Sequence, residues 1–419
     1  MKEKFVRFIG VAAVCVIALL AAACETQEPP ASVGASDTSE QAWAPSTAAP
    51  VPSVPATSAA VTTAPASSGA ATSSAPTQTS AAPATEPAKT SPPTTAAPRT
   101  TAARVLKTRT YSTGALSPLT GLPLADELVG RRPAAVMINN IKASMPQIGI
   151  SNAQIIYECL AEGGITRLIA LFEDYENLGT VGSVRSARDY FIDLAQIHDA
   201  LFIHAGGSEE AYSQIKSRSI DHLDGVRTTV SGVFWRDSER RKTMAYEHTM
   251  VTSGENIAKG VAKMGYRTTY RSGFASSLAF NSAFTVPSGT GATYIKIPHS
   301  NSYVAEFDYD ASRSLYLKKQ FGKAHIDGAN GEQLSFTNVI VIYADQSTVD
   351  SYGRLDVKLL GSGKGWYASG GKVVPITWTR SDRDGGISLS DASGALRINP
   401  GKSYIAVAAS GVYSKTVIN

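Results

Sequence analysis

Two patterns of apolar and polar residues divide the foldable part of the chain, and the first covers residues 111–275. Short apolar runs alternate there with segments in which apolar residues recur at helical spacing. The runs predict buried strands at 134–140, 167–172 and 200–204. The helical spacing predicts helices at 151–159, 186–198, 208–218 and 253–264. Strands that alternate with helices predict an α/β domain with a largely parallel or mixed sheet.

The second pattern begins near Ser276, where apolar and polar residues alternate with a period of two and turns become frequent. It predicts strands at 292–298, 303–309, 314–318, 338–343, 372–378, 386–390 and 403–408. The glycine-rich segment 361–365 is interpreted as a link between strands. We therefore expect residues 276–419 to form a mostly antiparallel β domain. Trp366, Tyr367 and Trp378 are candidates for a stacking surface for sugars, with core packing as the alternative use.

Residues 25–110 show neither pattern. Fifty of the sixty residues between 41 and 100 are Ala, Ser, Thr or Pro, and only Glu86, Lys89 and Arg99 are charged. This composition cannot bury enough apolar surface to offset chain entropy, so we expect a disordered tether. A flexible coil of about 80 residues averages about 50 Å end to end, and full polyproline extension reaches about 250 Å.

The first 24 residues have the organisation of a lipoprotein signal peptide. Lys2, Lys4 and Arg7 precede an apolar stretch at 8–20, and three alanines then lead to Cys24. We expect cleavage before Cys24 and a diacylglyceryl group on its thiol. The alternatives are ordinary cleavage after an alanine and an uncleaved anchor. The lipoprotein interpretation places the protein on the outer face of the bacterial cytoplasmic membrane, with its folded part in the cell envelope.

The cysteine count agrees with this interpretation. Of three cysteines, Cys15 lies in the signal and Cys24 is the lipid site, which leaves Cys159. One cysteine forms no intramolecular disulfide, so we expect the folded part to depend on its core. Cys159 lies in an apolar run, where a buried structural cysteine is expected rather than a nucleophile.

The charge balance of the foldable part argues against one class of partner. Residues 111–419 contain 31 Lys and Arg against 29 Asp and Glu, which gives a net charge of +2. Because this excess is small, the chain has no large basic field, and we expect no general binding of nucleic acid.

Polar and glycine residues follow two of the predicted strands, at the place where ligands bind in open α/β sheets. Residues 181–188 include Arg185, Ser186 and Arg188, and residues 204–208 read His-Ala-Gly-Gly-Ser. Free amides at the start of a helix, together with guanidinium groups, favour a phosphate or carboxylate ligand. The alternative is a structural role, in which a serine caps a helix and the arginines form ion pairs with nearby acids, the candidates being Ser183, Ser186, Asp189, Glu173 and Asp174.

Catalytic alternatives depend on histidines and glutamates. Glu158 and Glu162, four residues apart, would share a helix face as an acid/base pair, and His204 or His248 would supply a base. The histidine spacing matches no metal motif, and the sequence has no nucleotide-binding glycine motif and no serine-nucleophile motif. We therefore expect neither a metal nor a cofactor.

Several segments carry a family pattern when they are taken together. They include Ser117-Pro-Leu-Thr-Gly, Val136-Met-Ile-Asn-Asn, Tyr157-Glu, Glu162-Gly-Gly-Ile-Thr-Arg, Val184-Arg-Ser-Ala-Arg-Asp-Tyr-Phe, His204-Ala-Gly-Gly-Ser, Trp366-Tyr-Ala-Ser-Gly-Gly-Lys, Ile376-Thr-Trp and Pro400-Gly-Lys-Ser-Tyr-Ile. In this set the chain resembles the YerB-like lipoproteins, bacterial surface proteins made of two adjoining domains of unknown function. The resemblance implies this architecture and location, and it implies no established activity.

The chain departs from the family pattern at two places. Asn139 stands where the family tends to have Asp, and Glu247-His248-Thr249 stands where it tends to have Pro-His-Asn. An acid/base role for an aspartate at position 139 is therefore not available to this chain.

Three functions are compatible with these residues. The first is a cell-surface lipoprotein that binds an anionic or carbohydrate envelope ligand, such as a cell-wall polymer, through the strand-to-helix loops. The second is an envelope hydrolase or transferase that uses His204 or His248 with Glu158 or Glu162. The third is a module that docks another envelope protein through Phe234 and Trp235. The predicted ligand-binding residues are Asn140, Arg167, Arg185, Ser186, Arg188, His204, Gly206, Gly207, Ser208 and Arg236.

Overall fold

The computed structural model describes residues 109–227 and 229–419. Cys24, the predicted signal peptide and nearly all of the predicted tether lie outside the described residues. The first half of the described chain contains three α-helices, α1 (Asp189–Gln196), α2 (Glu209–Ser217) and α3 (Gly254–Met264). Its strands are β1 (Ala134–Asn139), β2 (Ile155–Leu160), β3 (Thr166–Phe172), β4 (Thr180–Gly182), β5 (Leu201–His204), β6 (His222–Asp224), β7 (Phe234–Arg236) and β8 (Met250–Ser253).

The second half of the described chain consists mainly of strands. They are β9 (Thr290–Gly291), β10 (Tyr294–Pro298), β11 (Val304–Asp310), β12 (Leu315–Gln320), β13 (Lys323–Ala324), β14 (Ser335–Phe336), β15 (Asn338–Ala344), β16 (Gln346–Thr348), β17 (Leu355–Val357), β18 (Gly361–Ser369), β19 (Lys372–Arg380), β20 (Ser388–Asp391), β21 (Gly394–Ala395), β22 (Ser403–Ala409) and β23 (Val417–Ile418). Short 3₁₀ turns occur at Asp126–Leu128, Lys142–Ser144, Ile150–Asn152, Glu162–Gly164, Tyr175–Asn177, Arg240–Lys242, Tyr246–His248 and Ser410–Lys415.

A twelve-stranded sheet contains strands from both halves of the described chain. Its order is β21-β20-β19-β18-β15-β22-β2-β3-β1-β5-β6, with β9 added beside β19. Strand β22 pairs in parallel with both β15 and β2, and β1 pairs in parallel with β5. The β1–β3 and β2–β3 pairs are antiparallel, as are the pairs from β15 outward through β18 and β19. The mixed sheet with helices in the first half and the antiparallel strands in the second half confirm the predicted fold class.

The helix predicted at 151–159 is wrong. Residues Ile150–Asn152 form one 3₁₀ turn, and Ile155–Leu160 form the strand β2 in the interior of the large sheet. A strand that is buried on both faces reads as a continuous apolar run, and its periodicity does not distinguish it from a buried helix. Glu158 and Glu162 consequently share no helix face.

Two layers cover the two faces of the large sheet. On one face lies a six-stranded sheet of order β13-β12-β11-β10-β23, with β14 beside β12. Its Ile295 and Phe307 share a core with Val136 and Ile156 of the large sheet. On the other face, Phe191 of α1 and other helix residues share a second core with alternate residues of the same strands. Smaller sheets are formed by β4, β8 and β7 and by β16 and β17.

The glycine-rich segment 361–365 belongs to β18 and is not a link between strands. In the same region Tyr367 and Trp378 are buried, and the indole Nε1 of Trp378 donates to the carbonyl of Tyr343 at 2.9 Å. Core packing therefore accounts for both rings, and the predicted sugar-stacking surface of Trp366, Tyr367 and Trp378 is wrong for these two. Trp366 is half-buried and stacks on Tyr413 with 5.7 Å between ring centroids.

None of the helices in residues 109–227 and 229–419 has the length and apolarity that a membrane span requires.

Candidate functional site

The two predicted strand-to-helix loops lie side by side at the carboxyl ends of β1 and β5. The amide of Arg185 donates to the carbonyl of Met137 at 3.0 Å, and the carbonyl of Arg185 accepts from the amide of Ala205 at 3.0 Å. The amide of Ala187 donates to the carbonyl of Gly206 at 2.8 Å. The loop at 185–188 is therefore held between the end of β1 and the loop that follows β5.

Arg167 and Arg188 share one counter-ion, Glu162. Arg167 Nη2 donates to Glu162 Oε1 at 2.5 Å, and Arg188 Nε donates to Glu162 Oε2 at 3.0 Å. Both guanidinium groups are at least nine-tenths buried. Burial alone would raise the pKa of Glu162, but the two arginines hold that pKa at about 2. The carboxylate is therefore ionised at neutral pH.

Arg185 and Arg236 have different partners. Arg185 Nη1 donates to the carbonyl of Glu247 at 3.2 Å, and Arg236 Nη1 donates to the carbonyl of Tyr246 at 2.7 Å. The Arg236 guanidinium also lies 4.0 Å from the centre of the Tyr246 ring. Both side chains are half-buried, and among the described residues neither forms an ion pair with a carboxylate. These two arginines therefore keep charge that no internal acid neutralises directly.

Arg185 connects these groups into one cluster. Burial lowers its pKa, and it interacts electrostatically with Glu247, Glu162, Arg188 and Arg236. We call the cluster the arginine site, and its members are Arg167, Arg185, Arg188, Arg236, Glu162 and Glu247. Four guanidinium groups stand against two carboxylates, and within the described chain the Nε atoms of Arg167 and Arg236 are buried without a hydrogen-bond acceptor. This arrangement can bind an anion.

His248 lies at the border of the arginine site. The side-chain amide of Asn139 donates to its Nδ1 at 3.1 Å, and its Nε2 lies 3.7 Å from Glu247 Oε1. Burial lowers the pKa of His248, although Glu247 opposes that shift. The imidazole is therefore neutral, with Nδ1 as an acceptor. The two places where the chain departs from the family pattern, Asn139 and the segment around His248, thus meet in one contact.

His204 takes part in a separate pair with His222. Its Nδ1 donates to the carbonyl of Gly206 at 2.8 Å, so its Nε2 accepts from His222 Nδ1 at 2.9 Å. His204 is fully buried, and burial lowers its pKa to about 4. His222 is half-buried beside a groove of about 780 Å³. His204 therefore contacts His222, whereas His248 contacts Asn139.

The remaining loop residues have identifiable structural contacts. Ser208 is the N-cap of α2, and its hydroxyl accepts from the amide of Ala211 at 3.2 Å. Gly206 has φ of 79° and donates to Asp224 Oδ1 at 2.8 Å. A side chain at Gly207 would approach Tyr212 to 3.4 Å. The carbonyl of Ser186 accepts from Arg167 Nη1 at 3.3 Å. A role of these residues in ligand binding stays a prediction.

Glu158 and Asn140 lie in a different environment on the opposite face of the sheet. Asn140 Nδ2 donates to Glu158 Oε1 at 3.0 Å, and Thr166 Oγ1 donates to the same oxygen at 2.6 Å. Tyr404 donates to Glu158 Oε2, and Lys318 Nζ lies 3.7 Å from that oxygen. We call these five residues, together with His299 and His325, the buried network; every member has at most 2% of its surface exposed. Asn140 therefore does not belong to the arginine site.

Sequence reasoning missed several of these groups. Glu247 and Asn139 border the arginine site, and the sequence singled them out only as departures from the family pattern. Glu162 was considered as an acid rather than as the counter-ion of two arginines. None of the residues Asp189, Glu173 and Asp174 pairs with Arg185 or Arg188 in the described ion pairs, and the N-cap of α1 is Arg188 rather than a serine.

Two candidate groups lie elsewhere in the structure. The proposed docking residues differ in exposure, since Trp235 is 37% exposed and Phe234 is half-buried on β7. Cys159 is fully buried, as expected, and burial raises the pKa of its thiol.

Comparison with known proteins gives a consistent result for both halves of the folded chain. Residues 119–267 match the family described as "Protein of unknown function (DUF3048) N-terminal domain", and residues 294–405 match its C-terminal domain. The "Putative lipoprotein YerB" of Bacillus subtilis (strain 168) is 31% identical over 292 residues, which cover 69% of this chain and 85% of that protein. The crystal structure of the YerB protein from Bacillus subtilis matches with a TM-score of 0.64 at 30% identity, covering 73% of this chain and 99% of that chain. The chain therefore belongs to the DUF3048 family.

Proposed function

We propose that the protein is an envelope lipoprotein, anchored through Cys24, whose arginine site binds an anionic group of an envelope ligand such as a cell-wall polymer. The membrane anchor is supported by the signal-peptide pattern and by the relative that carries the description of a lipoprotein. The long Ala/Ser/Thr/Pro-rich segment at 25–110 supports a folded part that reaches away from the membrane.

The observation that carries the binding proposal is the excess of positive charge at the arginine site. Glu162 neutralises one of its two arginine partners, while Arg185 and Arg236 donate to backbone carbonyls. A planar guanidinium group presents a fork of donors that matches the oxygens of a carboxylate or a phosphate. A ligand with such a group would accept the hydrogen bonds that Arg185 and Arg236 now donate to backbone carbonyls. Its negative charge would balance the excess positive charge of the arginine site.

Geometry favours binding over the hydrolase or transferase alternative. A general acid must hold a proton, and the pKa of Glu162 at about 2 leaves that side chain ionised at neutral pH. Glu158 is fully buried and already accepts from Asn140, Thr166 and Tyr404. Both observations favour binding over the acid/base role that the enzymatic alternative gives to these glutamates.

The test is a sedimentation experiment with isolated cell wall. The variant Arg185→Gln with Arg236→Gln removes the two arginines that have no carboxylate partner and leaves the Glu162 ion pairs intact. We expect the unmodified protein to sediment with the wall and the double variant to remain in the supernatant. Arg313→Gln is the matched control, because Arg313 is an exposed arginine paired only with Asp310 among the described residues.

The supernatant of the same experiment separates the alternatives. New soluble wall fragments would show that the protein is an enzyme. Absence of both sedimentation and fragments would contradict wall binding and would leave the docking of another envelope protein, which crosslinking in cells would then examine.

A further inference from the structure

A second cluster of arginines lies at the other end of the strands, away from the arginine site. It lines a groove of about 490 Å³ that we call the amino-end groove. Arg132 lies just before β1, Arg218 is the C-cap of α2, and Arg383 belongs to the turn between β19 and β20. Arg267 and Arg271 follow α3. The groove is therefore built at the amino ends of β1 and β6, whereas the arginine site is at the carboxyl ends of β1 and β5.

Two of these arginines are neutralised by their own carboxylates. Both Nη atoms of Arg267 donate to the Asp199 carboxylate at 2.8 Å, and Arg132 Nη1 donates to Asp221 Oδ2 at 2.5 Å. Arg132 also donates to the backbone carbonyl of Asp199 at 2.7 Å and is 2% exposed. These two ion pairs line one side of the groove. Because each guanidinium group is neutralised by its own carboxylate, neither offers net positive charge to a ligand.

Three further arginines, Arg218, Arg380 and Arg383, lie around a single carboxylate, that of Asp193. Arg218 Nη1 donates to Asp193 Oδ1 at 2.6 Å. Arg380 Nη1 and Arg383 Nε approach Asp193 Oδ2 only to 3.8 Å and 3.7 Å, beyond hydrogen-bond distance. Three guanidinium groups thus surround the Asp193 carboxylate. Arg271 adds a fourth guanidinium group, whose Nη2 donates to the backbone carbonyl of Asp384 at 3.0 Å.

Two donors of this cluster have no acceptor. Within residues 109–227 and 229–419, Arg218 Nη2 and Arg380 Nη1 are buried and make no hydrogen bond. The Arg380 side chain has no exposed surface and does not line the groove, so of these two donors only Arg218 Nη2 faces a ligand there. A buried guanidinium N–H without an acceptor is unfavourable, because it has lost its water without gaining a partner. The groove therefore lacks a group with acceptor oxygens beside Arg218.

Asp384 occupies the place where such a group would sit. Its Oδ1 lies 3.6 Å from Arg218 Nη2, which is too far for a hydrogen bond, and its side chain is 82% exposed. It can rotate into solvent without breaking a hydrogen bond to Arg218. We infer that the amino-end groove is a second anion site, which binds a phosphate group through Arg218, Arg271 and Arg383 in place of the Asp384 carboxylate.

Phosphate suits the groove for two reasons. Its oxygens can accept from guanidinium groups on several sides at once, whereas one carboxylate offers two oxygens. Its charge also offsets the excess around Asp193. The phosphate group belongs either to free phosphate or to a phosphodiester polymer of the envelope, and both present the same oxygens to the arginines. The site goes beyond the proposed function, because it shares no residue with the arginine site.

The test is equilibrium dialysis of the full-length protein against radiolabelled inorganic phosphate, with chloride at equal ionic strength as the reference. The variant Arg218→Gln with Arg383→Gln should weaken binding at this site by about tenfold or more, the factor expected for one lost charge-assisted hydrogen bond. Asp384→Asn should strengthen binding by about two- to fivefold, because it removes the competing negative charge from an exposed position. Arg313→Gln should change nothing.

If Arg218→Gln prevents folding, the expected increase in phosphate affinity of Asp384→Asn still tests the proposal. In that case Arg383→Gln alone, at a side chain that is 47% exposed, replaces the double variant. The proposal would be overturned if neither phosphate nor the competitor poly(glycerol phosphate) bound to the protein above the chloride reference. Binding that is equal in the unmodified protein, the arginine variants and Asp384→Asn would overturn it as well.

Two further comparisons assign the ligand and separate the two sites. Displacement of phosphate by poly(glycerol phosphate) supports a polymer ligand, and retention of phosphate supports the free ion; both are consistent with the site. Arg185→Gln with Arg236→Gln alters only the arginine site, so it should leave one full equivalent of groove binding. Failure of the proposed function would therefore leave this result unchanged.

Discussion

Asn139 and Asn140 are neighbours at the end of β1, yet they lie on opposite faces of the large sheet in two different electrostatic environments. Asn140 contacts Glu158 inside the buried network, where the carboxylate is surrounded by donors and by Lys318. Asn139 contacts His248 beside the arginine site, where Arg185 and Arg236 are half-buried. The buried charges are compensated, and the charges at the edge are in excess.

This difference has a physical cause. A charge removed from water is tolerated only when it is paired and hydrogen-bonded, so the buried network must balance itself. Charges at a half-buried edge keep part of their water, so an imbalance can persist there until a ligand binds. The buried network therefore joins the two sheets and supports stability, while the arginine site is where we propose that a ligand binds.

The largest effect is expected in the buried network. Lys318→Met leaves the Glu158 carboxylate buried without a cation and should lower the free energy of unfolding by about 3–5 kcal/mol. Urea unfolding monitored by circular dichroism measures this change. Lys319→Met on the same strand is the control, since Lys319 is 28% exposed and pairs with Asp308, and it should cost at most about 1 kcal/mol. Adding Glu158→Gln to Lys318→Met should restore much of the lost free energy of unfolding, because no unpaired carboxylate then remains. A double variant as unstable as Lys318→Met would contradict the pairing of Glu158 with Lys318.

The same network should make stability fall in mild acid. Burial lowers the pKa of His299 and of His325, so the unfolded chain takes up protons first as the pH drops below about 6.5. The stabilisation present above that pH should be lost by up to about 1.4 kcal/mol per pH unit for each histidine that stays neutral in the folded protein. Urea unfolding at pH 7.5, 6 and 5 provides the measurement. A free energy of unfolding that rises toward pH 5 would contradict the buried, neutral state.

The arginine site should divide into structural and ligand-binding arginines. Arg188→Gln leaves Glu162 with one partner fewer in a mostly buried position and should lower the free energy of unfolding by about 1.5–3 kcal/mol. Arg185→Gln breaks only a bond to a carbonyl at a half-buried position and should change stability by at most about 0.5 kcal/mol. Thermal unfolding of the two variants side by side measures this difference. Equal losses of stability in both variants would contradict the division into structural and ligand-binding arginines.

The smallest effect concerns Ser208, which was predicted to bind ligand and which caps α2. Ser208→Ala should lower the free energy of unfolding by about 1 kcal/mol, the usual contribution of an N-cap side chain. Ser253→Ala at the start of α3 removes an equivalent cap and serves as the comparison. If Ser208→Ala also weakens wall binding while Ser253→Ala does not, Ser208 has a ligand role in addition to its cap.

The elements with clear periodicity were predictable from sequence. The strands β1, β3 and β5 and the three α-helices appear close to their predicted positions, because each has a short apolar run or an amphipathic spacing. Strand β2 was predicted as a helix because its burial on both faces removes the alternation that identifies a strand. The loop that carries Gly206 follows the parallel strand β5 as expected, whereas the loop that carries Arg185 follows β4, an antiparallel strand of a small sheet that the sequence did not predict. That these loops bind a ligand stays a prediction.

The buried network and the amino-end groove were not predictable in the same way. In β12 the buried residues are Tyr316, Lys318 and Gln320, while Leu315 and Leu317 are only half-buried, so the apolar pattern does not reveal which side faces the core. The arginines of the groove come from four separate segments of the chain. Their proximity depends on the packing of α1, α2 and the β19–β20 turn, and no local pattern reports such a contact.

The most direct test of the central claim compares three forms of the protein in binding to isolated cell wall, with stability measured on the same samples. We expect Arg185→Gln with Arg236→Gln to weaken binding by about tenfold or more while the free energy of unfolding changes little. We expect Arg185→Lys with Arg236→Lys to give an intermediate affinity, since lysine keeps the charge and loses the bidentate geometry. Equal affinity of all three forms would contradict the claim that these two arginines bind the ligand.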